Sequence, residues 1–85
     1  MNANQAETVL IEKRIPARVV GEGRSWFQLA VFDEWEEKVY GVHVSRTDLS
    51  DLLIDWHVAC GRRQVCRLQH HDGRLVVTSR PRRAA

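Results

Sequence analysis

The stretch SRTDLSDLLIDWHVACG, residues 45–61, constrains this chain more than any other. Leu49, Leu52, Leu53, Trp56 and Cys60 recur at the spacing that lines one face of an α-helix. Ser45 or Thr47 can cap the first free N–H groups, Asp48 and Asp51 suit the positive end of the helix dipole, and Gly61 supplies the left-handed stop. That apolar stripe needs a sheet to cover. A chain of 85 residues buries only about 60–65% of its unfolded surface, which limits it to a single domain.

The flanking segments supply the strands. TVLIEKRIPARVV alternates at Val9, Ile11 and Ile15, is rich in β-branched residues and is interrupted by Pro16, so residues 8–20 predict a bent or edge strand. Gly21 to Arg24 offers a hairpin turn, and WFQLAVF follows with Phe27, Leu29 and Val31 on one face. KVYGVHV places Tyr40, Val42 and Val44 together and leads into the helix. After it, QVCRLQHH and LVVTS form a hairpin about Asp72-Gly73, with Cys66, Leu68, Leu75 and Val77 inward. The expected fold is α+β, in the order β-β-β-α-β-β: a mostly antiparallel five-stranded sheet with one helix on one face. Residues 1–7 and 80–85 read as polar or basic tails.

A single helix covers one face of such a sheet. Alternation puts Leu10, Trp26, Ala30, Phe32, Val39, His43, Val65, Arg67, Val76 and Thr78 on the other, and more than half of these are apolar. A second copy of the chain is the simplest cover, giving a homodimer through Trp26, Phe32, Val39, Val65 and Val76. Strand curvature or the N-terminal segment is the alternative cover.

Charge is unevenly distributed. Residues 1–59 carry six basic and ten acidic side chains, whereas residues 60–85 carry seven arginines against Asp72 alone. Either the halves attract each other, within the fold or across a dimer, or the arginines Arg62, Arg63, Arg67, Arg74, Arg80, Arg82 and Arg83 form a nucleic-acid patch, since the guanidinium fork suits phosphate. The acidic connector Asp33-Glu34-Trp35-Glu36-Glu37 is the second candidate site. Its indole either lies back on Phe27 and Val31 or forms a partner-binding tip suited to a basic surface, such as that of a nucleic-acid-binding complex.

Catalytic and metal chemistry find little support. No H-E-x-x-H, G-x-S-x-G or P-loop string occurs. The aspartates are accounted for by the helix start and its solvated face, so no enzyme activity is expected. His57, Cys60, Cys66 and His70 mimic a zinc string. On an extended strand, however, Cys66 and His70 would lie about 13 Å apart, too far to share one ion, and both cysteines fall on apolar faces. Neither metal nor cofactor is expected. No apolar run approaches the roughly 20 residues of a membrane span. The start MNANQAE lacks the features of a secretory signal, so a cytoplasmic location with reduced thiols is expected.

In kind, though not in any motif, the chain is similar to the small inhibitors and adaptors encoded by phages and mobile elements, anti-CRISPR proteins among them. That likeness covers no definable stretch and carries no residue over. It implies a non-enzymatic protein-binding module that acts by occupying a partner's surface. Nucleic-acid binding through the C-terminal hairpin is the alternative.

Overall fold

The computed structural model describes residues 1–61, 64–72 and 74–81. It contains α1 (Ala3–Glu12), β1 (Ala17–Glu22), β2 (Trp26–Asp33), β3 (Lys38–Ser45), α2 (Arg46–Cys60), β4 (Gln64–His71) and β5 (Arg74–Pro81). The expected α+β class and the order β-β-β-α-β-β are present, with a further helix in front. The strands, all antiparallel, divide into a three-stranded sheet β1-β2-β3 and a separate hairpin β4-β5, in place of one five-stranded sheet.

Residues 1–7 are not a tail, residues 8–12 are not strand, and Arg80 and Pro81 are not tail but the end of β5, paired with Val65 and Gln64; the rest of the expected tail, 82–85, lies outside the described residues. Asn2 caps α1 through a reciprocal pair: its side chain accepts from the Gln5 N–H at 2.9 Å, and the Gln5 side chain accepts from the Asn2 N–H at 2.8 Å. Ala6 and Leu10, one turn apart, are buried, whereas Ile11, on which the strand reading relied, is exposed. The helix stops where Arg14 takes a positive φ of 57°. Pro16 then precedes β1, which is shorter than the sequence suggests and bulged between Val19 and Gly21.

α2 matches its sequence signal closely. The Ser45 hydroxyl accepts from the Asp48 N–H at 2.9 Å, and Leu49, Leu52, Leu53 and Trp56 are buried. They join Phe27, Leu29, Val31, Val42, Val44 and Leu68 in one core, with Val77 packed against it and Ala6 and Leu10 added from α1. The Trp56 indole N–H donates to the Lys13 carbonyl at 3.0 Å, tying α2 to the end of α1. Arg46 gathers the opposite end: it donates to Glu22 at 3.1 Å and to the Gly23 carbonyl at 3.2 Å, and its guanidinium lies 4.4 Å from the centre of the Phe27 ring. In the β4-β5 turn, Asp72 has the positive φ of 50° that a type I′ turn requires, while Gly73 lies outside the described residues. Among the described residues no helix is long and apolar enough to cross a membrane.

Candidate functional site

The turn between β2 and β3 folds around one carboxylate. Asp33 continues the inward series of Phe27, Leu29 and Val31, and only 2% of its surface is exposed. Its Oδ1 accepts from the Trp35 N–H at 3.1 Å and the Glu36 N–H at 3.4 Å, shaping the turn. Arg67 of β4 then meets the carboxylate with two donors, Nε to Oδ1 at 3.0 Å and Nη2 to Oδ2 at 2.6 Å. The Arg67 guanidinium holds the Asp33 carboxyl below the usual carboxylate range; burial opposes that shift, and the two turn N–H groups add to it.

The network extends outward from this pair. Glu36 lies 3.4 Å from Arg67 and accepts from the Tyr40 hydroxyl at 2.9 Å, a bond that raises the Tyr40 pKa. Trp35 lies at the outer end of this network. It sits against the hairpin, with the guanidinium carbons of Arg67 and Arg80 4.8 and 4.3 Å from its ring centre, and 39% of its surface stays exposed. The acidic connector and the basic hairpin are therefore partners, as the reading of mutual attraction expects at this point in the chain.

The sequence-predicted sites sort accordingly. Within the acidic tip, Asp33 and Glu36 have internal partners, whereas Glu34, Trp35 and Glu37 remain exposed. Within the arginine patch, Arg67 and Arg80 are engaged at the tip. Arg74 lines a groove of about 360 Å³ together with Asp48, Asp51, Asp55 and His43. Arg62, Arg63, Arg82 and Arg83 lie outside the described residues. The five residues assigned to a dimer face do not share one sheet: Trp26, Phe32 and Val39 lie on the outer side of β2-β3, while half-buried Val65 and exposed Val76 belong to the separate hairpin. Leu10, also placed on that face, is fully buried in α1.

Of the zinc-like string, Cys60 and Cys66 do come together, with sulfurs 3.2 Å apart. Cys60 is exposed, contrary to its assignment to the buried stripe. His70 lies by Tyr40, with ring centres 6.4 Å apart. No group of three or more His, Cys, Asp or Glu side chains is arranged to hold a metal among the described residues. Compared with protein-family models, curated proteins and solved structures, the chain matches none.

Proposed function

We propose that this chain is a non-enzymatic protein-binding module whose contact point is the β2-β3 tip, centred on Trp35 with Glu34 and Glu37 beside it. One observation carries the reading: the exposed indole is fixed in place by an internal network of Asp33, Arg67, Glu36 and Arg80. A half-exposed Trp on a rigid turn loses little conformational freedom on binding, and Trp is among the residues that most often dominate an interface. The neighbouring exposed carboxylates favour a basic partner surface, such as that of a nucleic-acid-binding complex in the cytoplasm. Blocking such a surface is how an inhibitor of the anti-CRISPR kind would act.

Two of the three described arginines of the patch support this reading over nucleic-acid binding, because Arg67 and Arg80 already have partners within the chain. Affinity capture from the native host, with and without nuclease, tests it together with the double variant Trp35→Ala, Glu37→Lys. The expected result is a protein partner that survives nuclease and whose affinity falls about 30-fold or more in the variant, the loss of a hot spot of about 2 kcal/mol. Partners that vanish with nuclease, together with duplex binding that weakens steeply with salt and is lost in Arg62→Gln, Arg63→Gln, Arg74→Gln, would establish the nucleic-acid function instead.

A further inference from the structure

Cys60 is the last residue of α2 and Cys66 the third of β4. Both ends are anchored, α2 through Trp56 and β4 through Leu68, and the two thiols face each other with sulfurs 3.2 Å apart. A disulfide needs the sulfurs at about 2.05 Å, about 1.2 Å closer than they stand. The pair is asymmetric in access: Cys60 is exposed, while Cys66 is half-buried and packed against the core. We propose that Cys60 and Cys66 are a reversible thiol-oxidation site, closing to an intramolecular disulfide by exchange with a small-molecule disulfide.

Access orders the two steps. The Cys60 thiolate attacks one sulfur of the small disulfide, forming a mixed disulfide and releasing one small thiolate. The Cys66 sulfur then attacks Cys60 Sγ, forming the internal bond and releasing the second. One disulfide is consumed and one formed, and the two protons given up by the cysteines end on the two small thiols. Burial, followed by the hydrogen bond to Cys60, pushes the Cys66 thiol up to about 11, so little of it is thiolate near neutral pH, and the second step rests on the proximity of the two sulfurs. Cys66 also lines a small cleft with Phe32, Trp35 and Arg67, so the oxidised pair would lie beside the tip.

Oxidised glutathione added to the native full-length chain tests the site by intact mass and thiol titration. The expected product has lost two hydrogens, carries no glutathione, titrates no free thiol, remains a single chain, and reverts with dithiothreitol. Its melting temperature should rise by roughly 10 °C, the scale for closing a short loop in a domain this small. Cys66→Ser should instead retain one glutathione on Cys60. A stable glutathione adduct on the wild-type chain, cross-linking between chains, closure only in denaturant, or a fall in melting temperature on closure would each overturn the proposal. None of these readouts involves a partner, so the test stands apart from the proposed function.

Discussion

Asp33 occupies an inward position of β2 that alternation would otherwise give to an apolar side chain, and it survives there because Arg67 meets it with two donors. The signal was present in the sequence, since residues 27, 29, 31 and 33 share one parity and an inward carboxylate needs a cation. Which of thirteen basic residues answers it depends on how the hairpin crosses the sheet, and periodicity does not encode that. Cys60 was misplaced for a related reason: its spacing from Leu49 fits the buried stripe, but Trp56 is the last buried residue of α2 and Cys60 lies at the helix end. Because the Asp33 pKa is depressed in the fold, its pairing contributes stability in full above about pH 4, the ordinary carboxylate range, and loses it as pH falls through the folded value. Asp33→Asn should therefore lower the urea midpoint clearly at pH 7, and the gap to wild type should shrink by about pH 3. A gap that is the same at both pH values would mean that the ionised pair is not its source.

At the scale of elements, α2 was legible because two signals agreed, a cap at Ser45 and a stripe through Trp56; the helix does end at Gly61, but in the right-handed region, φ −64° and ψ −11°, and not through the left-handed stop expected of a glycine. At α1 the signals conflicted. Val9, Ile11 and Ile15 imitate strand alternation, whereas Ala6 and Leu10 keep helical spacing behind an Asn2–Gln5 capping box. Helix formation wins because Leu10 can then be fully buried, and Glu7 can accept hydrogen bonds from the Arg18 side chain and, at 2.6 Å, from the Val19 N–H, locking α1 to β1. Leu10→Ala should cost about 2–5 kcal/mol in urea denaturation, as should Leu53→Ala in α2, and Asn2→Ala about 1 kcal/mol. A loss at Leu10 below about 0.5 kcal/mol would show that α1 does not contribute to the core in solution.

Across the whole molecule, the division into three strands and two was the least legible feature. Every strand carries a plausible apolar face, and no residue pattern dictates which edge β4 should join. One consequence is that the outer face of the three-stranded sheet stands alone. Phe32 pairs with Val39 at one end, Trp26 rests on His43 with ring centres 4.7 Å apart at the other, and between them Ala30 pairs with Gly41, where an added Cβ would meet nothing within 4 Å. Bulky ends around a small centre are self-complementary about a two-fold axis, the relation an isologous dimer requires. We propose a homodimer through this face, with Phe32 and Val39 of each copy reaching toward the Ala30–Gly41 strip of the other. Phe32 is the residue to change, because Trp26 already covers Gly23, whose Cβ would fall 2.1 Å from the indole, so altering it would disturb the fold as well. Light scattering at roughly 100 μM should give a dimeric mass for the wild type and a monomeric one for Phe32→Glu, since a charge buried within an apolar interface opposes its formation. The unfolding free energy of that variant in urea, measured where the wild type is dilute enough to be monomeric, should stay within about 0.5 kcal/mol of wild type, as expected for an exposed site. A monomeric wild type would rule out the dimer and leave Phe32 and Val39, which is 69% exposed, free to extend the contact surface beside the Trp35 tip.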